Sequence, residues 1–145
     1  MHDRDRRTNR LLSLLSDDDY ERLRPHLSSV VLDYRKSLYE ASRPIEHVYF
    51  PVEGVASLVI TTADGRGAEV GTIGSEGIVG LPVCLGDNLA PSSVYVQVPG
   101  TALGMEAGIF RRELDRSPTM NRVMLRAGKN AQNKIHFTCF CLLCV

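Results

Sequence analysis

A chain of 145 residues has room for one domain with a full core, and its 17 Lys plus Arg against 17 Asp plus Glu leave no net charge. That balance excludes the basic footprint of a protein that grips nucleic acid through its overall charge. No apolar run reaches the ~18 residues that span a bilayer, and no secretory leader opens the chain, so the expected compartment is the cytoplasm, with no membrane partner.

The first 27 residues read as helical. Asn9 to Leu15 sets Leu11, Leu12, Leu14 and Leu15 on a short amphipathic helix. Ser16 is a good N-cap, and Asp17, Asp18 and Asp19 follow it in a first turn where the helix dipole favours acids. Tyr20, Leu23 and Leu27 share the apolar face of this second helix, and Pro25 limits its length.

From Ser28 the period becomes strand-like. Val30 to Leu32, Ser37 to Tyr39 and His47 to Phe50 are short β-branched or aromatic runs, with turns expected at Pro44 and over Pro51 to Gly54. Val55 to Thr62 is the best single strand, Asp64-Gly65 is a strong hairpin signal, and Ala68 to Val70 starts the return. Glycines then recur every third residue, at 71, 74, 77 and 80. Such a run is a poor helix and too glycine-rich for a plain strand. It reads as a strand end and loop whose amides could face a ligand, or as a plain barrel corner. Val94 to Val98 alternates, Pro99-Gly100 suggests a turn, and Thr101 to Met105 is a further strand. Seven or eight short strands point to a small antiparallel barrel or jelly roll.

The period changes again at Met105-Glu106, into a helix through Ile109, Phe110 and Leu114. Ser117-Pro118 opens another, along which Met120, Val123, Met124, Ala127 and Ala131 recur at helical spacing. That stripe is expected to pack against a second chain. At the C-terminus His136, Cys139, Cys141 and Cys144 could hold zinc or an iron–sulfur cluster. The other reading is an apolar tail in which cysteine acts as a small hydrophobe. No Gly-x-Ser-x-Gly or His-x-His arrangement suggests an enzyme.

The order of elements, with Asn9 to Leu12, Leu38 to Glu40, Pro44 to Pro51, Asp64-Gly65, Glu69 to Gly71, Gly74 to Gly77, Val79 to Pro82 and Val96 to Gly100, resembles the effector domain of Crp–Fnr transcription regulators. The likeness runs over about residues 9–130. It implies a mainly β fold, a cyclic-nucleotide-binding-like double-stranded β-helix (jelly roll), with flanking helices over 1–27, the barrel over 28–116, and a long dimerisation helix with a divergent tail over 117–145. It implies a homodimer and a cytoplasmic regulator rather than an enzyme.

In that family a Gly-Glu pair opens a short helix at a phosphate, the Glu takes the ribose, and an Arg followed by a small hydroxyl residue clamps the phosphate about ten positions later. Here Gly80 matches the glycine, but Leu81 and then Pro82 follow it. Ser92 and Ser93 stand where the Arg and its neighbour belong, allowing one inserted residue. Glu76 lies four residues too early to substitute. Two lost charged hydrogen bonds cost on the order of a hundredfold in affinity. No cofactor is expected, and the effector is an unknown small molecule or none. Relatives continue into a helix-turn-helix domain, whereas the sequence from Asn133 departs from the pattern. The expectation is a truncated or frameshifted regulator, or a stand-alone domain, without direct nucleic-acid binding. The alternatives are a metal- or redox-responsive module and a heterodimerising inhibitor of full-length regulators.

Overall fold

The computed structural model describes residues 2–87 and 89–127. Helices α1 (His2–Thr8), α2 (Arg10–Leu14) and α3 (Asp17–Leu23) come first, and the helical path ends in a 3₁₀ turn at Arg24–His26, around the expected Pro25. The expected cap acts as such, Ser16 Oγ accepting from the Asp19 amide at 3.2 Å, and Asn9 proves to be a second one, its Oδ1 accepting from the Leu12 amide at 3.2 Å. Leu11, Leu12, Leu15, Tyr20, Leu23 and Leu27 are buried, whereas Leu14 is exposed. Leu14 and Leu15 are neighbours, and α2 is too short and ends too soon to turn both inward.

Five strands follow among the described residues: β1 (Ser28–Leu32), β2 (Ser37–Tyr39), β3 (His47–Thr61), β4 (Gly67–Ile73) and β5 (Ser93–Glu106). All pairings are antiparallel, in the order β1-β5-β3-β4 with β2 also on β5. The result is a jelly-roll-like antiparallel sheet with flanking helices. The Asp64-Gly65 hairpin sits where expected, between Thr61 and its partner Gly67. A four-residue helix, α4 (Leu81–Cys84), interrupts the strands. Helix α5 (Ala107–Arg116) leaves β5 directly, and a further helix, α6, is described over 118–127.

Two expected turns are corrected. Pro51 to Gly54 and Pro99-Gly100 lie inside β3 and β5, so seven or eight short strands become five longer ones. The register between β3 and β5 shifts between Pro51 and Glu53, between Glu53 and Val55, and between Val55 and Ala56. These are bulges, which use the same Pro and Gly residues as turns. The two backbones press together there. A Cβ on Gly54 would lie 2.6 Å from the Val98 carbonyl oxygen, and one on Gly100 would lie 2.0 Å from that of Glu53.

The core joins barrel and helices. Phe50 and Phe110 meet edge to face at 5.8 Å between ring centroids, with Val48, Leu103, Leu114, Met120 and Met124 buried around the same interior. Met120 and Met124 are fully buried in this single chain, which corrects their assignment to a surface for a second chain. Val123 and Ala127 are half-buried, and the exposed apolar residue of α6 is Leu125. A 3.6-residue period marks an apolar face without saying whose core it meets. Ala131 and the set His136, Cys139, Cys141 and Cys144 lie outside the described residues. No helix among those described is long and apolar enough to cross a membrane.

Candidate functional site

The glycine-rich stretch divides into two unlike parts. Gly74 to Gly77 forms a tight corner: the Gly77 amide donates to the Gly74 carbonyl at 3.1 Å, and the Gly74 amide to Glu76 Oε1 at 3.1 Å. Outside ties complete it. Asn9 Nδ2 donates to the Gly77 carbonyl at 3.0 Å and to that of Pro51 at 2.9 Å, while the Arg10 amide donates to the Ser75 carbonyl at 2.8 Å. Glu76, which lies too early in the sequence to stand in for the family's glutamate, closes its own corner.

The cassette begins after a short bridge in which Val79 and Tyr49 exchange both backbone hydrogen bonds, at 2.8 and 2.9 Å. Burial, and then the Glu46 charge, push the Tyr49 phenol above its ordinary pKa. Gly80 follows at φ 120°, and a Cβ on it would sit 2.6 Å from Val48 Cγ1. Positive φ and close packing both demand glycine. The chain then turns into α4, where Leu81 and Pro82 are half-buried. Pro82 has no N–H, so the helix start offers one donor fewer than it otherwise would.

At the opposite end of α4, Arg111 Nη1 donates to the carbonyls of Val83 (3.2 Å) and Cys84 (3.3 Å). This guanidinium stabilises the helix C-terminus and pairs with Asp115 at 3.6 Å, rather than facing the Gly80 end. Cys84 is buried, and burial, opposed by the Arg111 charge, pushes its thiol up to about 12, so it stays protonated at neutral pH. Ser92 is 7% exposed, and its hydroxyl has no hydrogen-bond partner among the described residues. Ser93 Oγ accepts from the Ala41 amide at 3.0 Å, which ties β5 to the segment after β2.

The cassette segment carries no cation of its own, and Arg111 reaches α4 from α5. Between Arg66 and Arg111 the sequence contains no Lys, Arg or His, whereas Glu69, Glu76, Asp87 and Glu106 fall in that interval. Two surface grooves stand out elsewhere. One of about 790 Å³ runs between Leu85, at the end of α4, and Pro118, Arg122 and Leu125 of α6. Another of about 480 Å³ lies among His26, His47, Tyr49 and Met105. Neither is lined by Gly80, Leu81, Pro82, Ser92 or Ser93. No group of three or more metal-ligating side chains occurs among the described residues. Nothing in the local sequence pattern marks the role of Arg111, whose contacts lie 27 and 28 residues back along the chain.

Comparison with known proteins shows the fold. No curated protein matches the chain. Among solved structures, the N-terminal domain of a transcriptional regulator from Streptomyces coelicolor A3(2) superposes with TM-score 0.65 at 23% identity, over 91% of this chain and 92% of that one. The c-di-GMP responsive global regulator CLP of Xanthomonas campestris gives 0.67 at 16%, over 85% of this chain and 61% of that one. The regulatory subunit of a cAMP-independent protein kinase A from Trypanosoma brucei, as a mutant bound to cAMP, gives 0.73 at 20%, over 96% and 52%. The chain thus spans from half to about six-tenths of the latter two. At these identities the likeness shows the fold. The model of one family, described as the cyclic nucleotide-binding domain, matches residues 31–117, from β1 to the cap of α6, and the chain belongs to that family.

Proposed function

We propose that the chain is the sensory domain of a Crp/Fnr-type transcription regulator, non-enzymatic, whose cassette no longer binds cyclic AMP tightly. The observation that carries this is the cassette itself: Gly80 keeps its strained bend, but Leu81, Ser92 and Ser93 stand where the family resemblance places charged or clamping groups, with no cation between Arg66 and Arg111. The bend without the charges fits an uncharged or weakly polar effector. The domain plan 1–27, 28–116 and 117–145 goes with this reading. So does a homodimer through α6, with the contact moved from Met120 and Met124 to Val123, Leu125 and Ala127. Isothermal titration of the purified chain with cyclic AMP and with cyclic GMP is the test. The expected result is no saturation below roughly 100 μM for either. Micromolar binding of either nucleotide would overturn the proposal.

A further inference from the structure

The zero net charge of the chain is unevenly laid out. From residue 116 onward the sequence holds Arg116, Arg122, Arg126, Lys129 and Lys134 and no Asp or Glu, against 12 cations and 17 acids before it. Arg122 and Arg126 stand four residues apart on α6, so they are neighbours on one side of the helix, where like charges repel. Neither guanidinium has an ion pair or a hydrogen bond among the described residues. The arginines just before them are already neutralised, Arg111 by Asp115 at 3.6 Å and Arg116 by Glu113 at 3.6 Å.

Both free arginines line the groove of about 790 Å³ beside α4, a size within the ~300–1,000 Å³ typical of small-molecule sites. Leu85, Leu114 and Pro118 give it apolar lining and Asn121 a neutral polar group. Its one carboxylate, Asp115, is the one that Arg111 engages. Leu85 is 41% exposed and Leu125 40%, so apolar surface lies open to water beside two uncompensated charges. The complement of such a surface is a molecule with an apolar body and an anionic head. The smaller groove is the opposite case, lined by His26, His47, Tyr49 and Glu106 with no Lys or Arg.

We propose that the groove beside α4 is a second ligand site, separate from the cassette, for an amphipathic carboxylate. Its head group lies on Arg122 and Arg126, whose planar forks match a carboxylate in paired hydrogen bonds, and its chain lies over Leu85, Leu114 and Pro118. Leu125 is common to this groove and to the dimer contact proposed above, whereas these five contacts are not. Gly80, Leu81, Pro82, Ser92 and Ser93 do not line the groove, so this site and the cassette reading stand or fall separately.

Titration of the isotope-labelled full chain with decanoate, followed by amide chemical shifts, tests the site. Saturable shifts at Leu85 and Asn121 are expected with a midpoint below about 1 mM. Decylamine, with the same chain and the opposite charge, and acetate, with the head group alone, are expected to leave both amides unmoved. Arg122→Gln and Arg126→Gln should each raise the midpoint by about tenfold. Arg112→Gln, which removes a charge outside the groove, should change it by less than about twofold, which separates a built site from general attraction to cations. An equal loss in Arg112→Gln, saturation by decylamine, shifts centred on Tyr49 and Gly104 of the smaller groove, or no saturation at all would each overturn the proposal. So would retention by phosphatidylglycerol vesicles without saturable binding of free decanoate.

Discussion

The glycine corner and the cassette are near neighbours in sequence and opposite in design. At the corner the polar atoms at Gly74, Ser75 and Gly77 are tied to Glu76, Arg10 and Asn9. At the cassette the shape is held by packing, through the φ of Gly80 and its fit against Val48. A polar tie fixes a backbone but has no capacity left for a ligand. A bend fixed by apolar contact keeps its shape whatever chemistry lines it. The first region is a joint, and the second is a frame.

The largest effect is expected where the frame is forced. Gly80→Val should cost roughly 2–5 kcal/mol in urea denaturation, combining the strain of positive φ with a clash against Val48. Gly65→Ala, at φ 80° with open space around it, should cost only about 1–2 kcal/mol. Equal losses would erase the distinction between a packed bend and a free turn. Next is a gain of function. Leu81→Glu combined with Ser92→Arg restores the charge pattern, and calorimetry should show cyclic AMP affinity rising on the order of a hundredfold over the parent chain. No gain would mean that the frame has also lost its shape.

The smallest effect concerns another polar tie, that of Asp19 in α3 to Ser117 and Thr119 at the start of α6. Burial raises the Asp19 carboxyl, but the hydrogen bonds from Ser117, Thr119 and Ser16 and the Arg22 charge outweigh it, so its pKa lies below the ordinary value. A depressed folded-state pKa contributes stability that is complete above the unfolded value of about 3.9 and disappears as pH falls through the folded value. The parent chain should therefore exceed Asp19→Asn in stability by about 1 kcal/mol at pH 7, with the gap closing below about pH 4. A gap that persists unchanged at pH 2.5 would show that the carboxylate charge is not what holds Ser117.

Local signals in the sequence are legible where one element settles them. Ser16 and Ser117 cap helices, and Asp64-Gly65 turns a hairpin, because each depends on atoms within a few residues. The order of such signals was enough to point to the family. Pro51 to Gly54 and Pro99-Gly100 look like turns in sequence because a bulge and a turn ask for the same residues, and only the partner strand decides between them. Met120 and Met124 showed the right period but not the surface they meet. The tie from Asn9 to Gly77 spans 68 residues and that from Asp19 to Thr119 spans 100, so neither leaves any periodic trace. At the cassette, the positions of Gly80, Leu81 and Ser92 were legible, whereas the grip of Arg111 on α4 was not.

The β3–β5 ladder has one more consequence, for the way the chain assembles. His47 pairs with Glu106 and Val59 with Ser93, so the ladder brings together segments tens of residues apart. Everything from the hairpin to the cassette is a loop hung from that ladder. Closing such a loop costs chain entropy that grows only with the logarithm of its length and is indifferent to its side chains. Closing the ladder through β3 and β5 thus does not depend on the exposed residues of 81–92, whereas Val83, Cys84 and Ala90 belong to the core. Exposed residues between the hairpin and Ser93 can change at little cost to the closing of the ladder.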